Sequence, residues 1–341
     1  MGRDPGALSE TGGRVSRARS TLGADPAMLD FLARRLLGAL LVLALVSILT
    51  FGIIWLIPGD PAAAFLDASA TPEQVERLRV QLGLDKPLPL QIVEWYGRIL
   101  HGDLGRSILL DRSVTDAILE RLPVTLSIAG IAFAIAVVAG IAAGTIAAVN
   151  HNRWPDQVVM ATALFGLSVP DFWLGLVLVF VFAVNLGVLP SGGFVPPTES
   201  IVGWLRTIAL PAATLALVQV GFIARMARAS MLDVLNQDFV RTADAKGLSR
   251  SYVVFRHGLP NALVPILTVA GIVAGALLGG AVIVEQVFSI PGVGRLVIGA
   301  ILARDFPVIQ GGLLFLAAIY LTVNLIVDVL YAVVDPRVRL Q

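Results

Sequence analysis

The side chains that could do chemistry are few and scattered. Besides its arginines and carboxylates the chain offers three histidines, His101, His151 and His257, and two lysines, Lys86 and Lys246, and it has no cysteine. Without cysteine there is no disulfide, no thiolate ligand and no cysteine nucleophile. The histidines fall in three different loops, none with a second histidine or a carboxylate at metal-ligand spacing, so they read as structural or surface residues and no metal site is expected. A phosphate-cradling loop needs lysine followed by serine or threonine after a glycine-rich run. Lys86 precedes Pro87 and Lys246 precedes Gly247, so the chain carries no Walker-type nucleotide site. An enzyme working inside the membrane would need a pair such as histidine with aspartate, and no apolar segment contains a histidine. No catalytic residue is therefore assigned.

Three carboxylates fall in or beside apolar stretches, where an ionisable group is costly and functional by default. Ser168-Val169-Pro170-Asp171 reads as a capping box, with Ser168 at the N-cap and Asp171 at the third helical position. That predicts a membrane helix broken here and restarting at Val169, with Ser168, Pro170, Asp171 and Phe172 facing a translocation pathway, as broken helices do in other transporters. The alternative is a carboxylate that only caps the break. Glu285 stands at the outer end of another span, where it is a second pathway candidate and also reads as structural; Asp328 reads as structural.

These residues sit in a chain that is 57% hydrophobic and 14% charged, with a mean hydropathy of +0.85. Soluble domains are about a quarter charged, so the class is integral membrane and all-α. A net charge of +1 gives no reason to expect nucleic acid. Six apolar runs, at 36–57, 122–149, 158–184, 207–224, 261–284 and 308–334, are each long enough to cross a bilayer as a helix. The first is 22 uncharged residues, longer than the roughly 7–15 of a signal peptide core, so it reads as a retained span. Residues 1–33 read as a flexible tail, 34–121 as the first span with an external segment, and 122–341 as a five-helix core.

Orientation follows arginine placement. Arg14, Arg17, Arg19, Arg34 and Arg35 precede the first span and put the N-terminus in the cytoplasm. Six spans return the C-terminus there, with Arg337 and Arg339. The loop 225–257, carrying Arg225, Arg228, Arg241, Lys246, Arg250 and Arg256, is also inside. Segment 58–121 is then external: a Pro58-Gly59-Asp60-Pro61 turn, a helix capped by Thr71 with Pro72 at its first position, and a second helix over 88–100. Stripes of small residues, Gly271, Gly275 and Gly279, and Ala132, Ala136, Gly140 and Gly144, read as helix-packing faces within the bundle or against a second membrane subunit, or as a substrate-lining surface.

The stretch 225–260 is the most informative. Phe239, Val240 and Ala243 form one apolar face, Lys246 suits the end of that helix, and Gly247 is placed to end it. Ser249 is then an N-cap for a second short helix through Tyr252 and Phe255, and Pro260 opens the fifth span. Such a helix–glycine–helix connector either rests on lipid headgroups or docks a protein.

Arg241-Thr242-Ala243 stands where the connector of ABC importer permeases has Glu-Ala-Ala, and after nine residues beyond Gly247 the run His257-Gly258-Leu259-Pro260 matches that motif's close. DFVRTADAKGLS at 238–249, IPGDPA at 57–62, LGLDKPLPLQ at 82–91, GDLGRS at 102–107, EQVFSIPGVGRL at 285–296 and DVLYAVVDPRVR at 328–339 extend the likeness over 31–340. The chain thus resembles the dipeptide, oligopeptide and nickel subfamily of these inner-membrane permeases. The resemblance implies a multi-pass subunit of the bacterial inner membrane. By the same resemblance it would pair with a second related permease, two ATPase subunits that bind ATP and Mg, and an external substrate-binding protein. The ATPase-coupling residues would be Phe239, Arg241, Thr242, Ala243, Asp244, Ala245, Lys246, Gly247, Leu248 and Ser249. Peptides are the implied substrate, with nickel or another small solute as the alternative. A stand-alone secondary transporter is disfavoured by the scarcity of carboxylates within the spans and by the connector.

Overall fold

Lipid offers backbone groups no hydrogen-bond partner, so long apolar runs must satisfy themselves as helices. The computed structural model describes residues 26–56, 60, 62–63, 66 and 71–334. Its helices are α1 (Pro26–Gly52), α2 (Pro72–Gln81), α3 (Leu88–Leu100), α4 (Val114–Val149), α5 (Trp154–Ser168), α6 (Asp171–Asn185), α7 (Ile201–Leu235), α8 (Asp238–Ala245), α9 (Arg250–Val287), α10 (Val293–Ala303) and α11 (Phe306–Val334). Among the described residues there is no strand, only an isolated bridge between Arg106 and Ser113. Helices α1, α4, α7, α9 and α11 are each long and apolar enough to cross a membrane. The pair α5 and α6 qualifies only together and is bent by 105° at its break; counted as one span, it gives the expected six.

The spans run past the ends that hydropathy sets. Residues 225–235, expected in a loop, are the last turns of α7. The apolar stripe Ala224, Ala227, Met231 and Val234 continues past Arg225 and Arg228 and is buried. A charge on the far face ends a hydropathy window but not a helix.

The main core joins α4, α7 and α9, with α6 against them. The Ala132–Gly144 stripe is buried against α7: a Cβ on Gly140 would stand 2.7 Å from the Ile223 side chain, and one on Gly144 would strike Ala224 O and Ala227. Gly271 and Gly275 receive Val327 and Tyr320 of α11, whereas Gly279 faces open space. The stripes therefore serve packing within this chain, apart from Gly279.

A second layer covers one end of the bundle. Helix α2 starts with a complete capping box, in which Thr71 Oγ1 accepts from Gln74 N and Thr71 N donates to Gln74 Oε1 at 2.8 Å, with Pro72 next. Helix α3 lies against the end of α1: buried Trp95 packs at a tilt against Phe51, and the Tyr96 hydroxyl meets Ser47 Oγ at 2.7 Å. Of the expected Pro58–Pro61 turn only Asp60 is described; it bonds Ala62 N and ion-pairs with Arg79 at 2.7 Å. The tail up to residue 25, Arg337 and Arg339 lie outside the described residues. Val114, Ile118, Val293, Phe306 and Ile309 form a separate apolar cluster under this layer.

Candidate functional site: the connector and the bent span

Between α7 and α9 the chain turns through α8. Asp238 in its first turn suits the helix dipole. Val240 and Ala243, three apart, turn inward and pack on Val253 and Leu235. Phe239 stands at the edge of that stripe and is 40% exposed, so it lies on the outer surface with most of the other coupling candidates. Lys246 is the C-cap, and Gly247 follows at φ +77 with its N–H donating to Asp244 O at 2.9 Å. That left-handed conformation is what glycine supplies without a Cβ penalty.

Ser249 occupies the N-cap position, but its hydroxyl makes no capping bond. The expected second short helix is not separate. Arg250 begins α9, which runs into the fifth span through a π-turn over Val253–Gly258. The reason is Pro260: it has no N–H to offer the carbonyl four residues back, and the ladder steps to i→i+5, with Leu259 N bonding Val254 O. The connector is therefore a single small helix held between the end of α7 and the start of α9.

Of the proposed coupling residues only Ala243 is buried; Phe239, Arg241, Thr242, Asp244, Ala245, Lys246, Gly247, Leu248 and Ser249 are exposed. Tyr252 and Phe255 add to the same exposed apolar surface, Phe255 at 65%. They were legible only as helix formers, although two aromatics between Arg250 and Arg256 already hint at a surface role. Ion pairs Arg241–Asp238 and Arg250–Asp244, at 3.6 and 3.4 Å, are exposed and weak.

At the bent span the break is present, but the capping box is not. Ser168 Oγ donates back to Leu164 O at 3.0 Å, and α6 starts at Asp171 with Pro170 at the N-cap position and no side-chain cap. A residue before proline is pushed towards extended backbone, and Val169, at φ −94 and ψ 127, ends α5 that way. Asp171 is half-buried, beside Gly280 of α9, and has no hydrogen bond or ion pair among the described residues. Ser168, Pro170 and Phe172 are exposed around it.

Glu285 does not face a pathway: it is fully enclosed within the chain. Thr125 Oγ1 of α4 donates to Oε1 at 2.5 Å, Arg295 N donates to Oε2 at 3.0 Å, and Val293 N donates to Thr125 Oγ1 at 3.0 Å. Together the two side chains satisfy orphan N–H groups at the start of α10. Gly292 leaves room for the carboxylate, which a Cβ there would overlap. The glycines of PGVG, seven and nine residues beyond Glu285, are the one sequence signal that could have pointed to this cap. Asp328 pairs with Arg35 at 3.0 Å and ties α11 to α1, as a structural residue would.

Sequence reading missed a further pair. Asp156 of α5 is buried, and Arg228 of α7 meets it with two nitrogens, Nη2 to Oδ2 at 2.7 Å. Arg228 Nη2 also reaches His151 Nδ1 at 3.1 Å. Seventy-two residues separate the partners, so no local pattern announces them. Among the described residues no group of histidines and carboxylates could hold a metal ion.

Residues 140–340 match the family described as the binding-protein-dependent transport system inner membrane component, and residues 28–129 match the N-terminal membrane component of such systems. A "Putative peptide transport system permease protein" of Brucella abortus is 49% identical over 312 residues, which cover 92% of this chain and 99% of that protein. The glutathione transport system permease protein GsiC of Escherichia coli K12 is 43% identical over the same shares. A solved chain of the MetNI methionine ABC transporter, in inward-facing form, superposes with a TM-score of 0.52 at 20% identity, covering 64% of this chain and 96% of that one. That likeness shows the shared helical fold. The chain belongs to the binding-protein-dependent inner-membrane transport components.

Proposed function

We propose that this member of the binding-protein-dependent inner-membrane family is one of two related permease subunits of an ATP-driven importer for peptides. The observation that carries the reading is the exposed surface of α8 and its Gly247 turn, in a chain that matches such permeases almost end to end. Neither lysine stands in a P-loop, so ATP and Mg belong to separate ATPase subunits. Peptides are favoured because relatives named for peptide and glutathione transport match along nearly their whole length. Nickel or another small solute is the second reading.

The connector end faces the cytoplasm in this proposal, and α2 and α3 face the binding protein. ATPase closure presses on Phe239, Arg241, Thr242 and the run from Asp244 to Ser249. Val240 and Ala243 carry the load into Leu235 of α7 and Val253 of α9, so two spans respond to one push. Such coupling requires that the two ATPase states bind the connector differently. Asp171, unpaired at the bend, is the proposed pathway carboxylate.

Co-purification of the chain with ATPase subunits, and hydrolysis stimulated by peptide-loaded binding protein, tests the reading. Hydrolysis raised by loaded but not by empty binding protein is expected. An assembly that hydrolyses ATP at one rate regardless of binding protein sinks it, and stimulation only by a nickel chelate selects the second substrate.

A further inference from the structure

The Asp156–Arg228 pair joins α5 and the α4–α5 turn to the end of α7 that leads into the connector. Asp156 lies in the first turn of α5, and its carboxylate takes both the Arg228 fork and the Asn152 N–H, the latter at 2.9 Å. Arg228 reaches His151 directly and Asn152 through Asp156, so a single α7 side chain ties down the short turn between α4 and α5. At the same level α4 touches α7 backbone to backbone, since a Cβ on Gly144 would stand 2.9 Å from Arg228 N. A two-pronged guanidinium–carboxylate contact fixes orientation as well as distance, which a lysine would not. From Arg228, α7 runs seven residues, about 10 Å, to Leu235, where the connector packs.

We propose that Asp156 and Arg228 are positioning residues of the transport cycle. Their pair holds α4, α5 and α7 as one body, so that movement of α8 reaches the bent span and Asp171 instead of being lost in the α4–α5 turn. The proposal rests on α8 being the ATPase connector.

The chain has no cysteine, so Asp156→Cys with Arg228→Cys introduces its only two thiols. In the complete assembly reconstituted in vesicles, solute moved per ATP hydrolysed is expected to fall about tenfold, within the range by which such positions modulate coupling. Bridging the thiols with a short bis-thiol reagent is expected to restore most of it. Undiminished transport per ATP without the bridge, or no recovery with it, overturns the proposal. Arg228→Lys, which keeps the charge and gives up the fork, covers the case in which the double variant fails to fold. It is expected to lower transport per ATP at a near-parental unfolding midpoint. An unchanged transport per ATP in Arg228→Lys, whatever the midpoint does, shows that the pair only holds the fold and overturns the proposal. A parent assembly whose hydrolysis ignores loaded binding protein would instead defeat the connector reading itself.

Discussion

At the end of the bundle that carries α2, α3 and α10, four buried polar side chains bridge elements far apart in the chain. Thr125 clasps Glu285, and Ser107 Oγ donates to Asp305 Oδ2 at 2.5 Å with Leu109 N beside it at 3.1 Å. At the connector helix itself three apolar residues, Val240, Ala243 and Val253, do the holding, under a surface of exposed Phe239, Leu248, Tyr252 and Phe255. Buried hydrogen bonds are expensive to leave unmade and geometrically strict, whereas a small apolar contact slides. That end is built to keep its shape, the connector helix to be handled.

Three substitutions test that contrast, in descending order of their effect on stability. Glu285→Ala removes the acceptor for Thr125 and for the start of α10 inside a closed core, and should cost about 3 kcal/mol or more. Thermal unfolding of the purified assembly should show a clearly lowered midpoint, and a parental midpoint would remove Glu285 from the structural account. Ser107→Ala takes one donor from Asp305, whose Oδ1 is already without a partner among the described residues. About 2 kcal/mol is expected, read as faster proteolysis or hydrogen exchange in the segment 103–113. Gly247→Leu meets open space and only backbone strain, so about 1 kcal/mol is expected with membrane insertion intact. Transport should nevertheless be lost, because the strain falls where the ATPase would press. Normal transport by that variant would break the comparison.

The spans were legible because an apolar run of bilayer length has few other solutions. Their ends were not: α7 continues to Leu235 on a stripe of apolar residues that alternates with arginines. Gly247 was legible, since a glycine after a helix stretch has a local cause. The π-turn was missed because Pro260 reads equally well as the first residue of a new helix. Ser168 and Asp171 misled for a similar reason: serine three before a carboxylate suits a capping box, but a serine in a last turn can also bond backwards, and here it does. Glu285 and Arg228 lay beyond local reading, as their partners stand 160 and 72 residues away.

The 105° bend has a consequence for the bilayer itself. Each half of the bent span, at no more than about 1.5 Å per residue since Val179–Asn185 is wound as a π-helix, is at most about 22 Å long, short of a hydrocarbon layer of about 30 Å. Neither half can cross alone, so with the pair counted as one span its junction lies at depth, with Val169 and Pro170 outside any helix. Non-helical backbone is tolerated there only against protein or water. The bend thus marks a point that neighbouring protein or water has to cover, close to the unpaired carboxylate of Asp171.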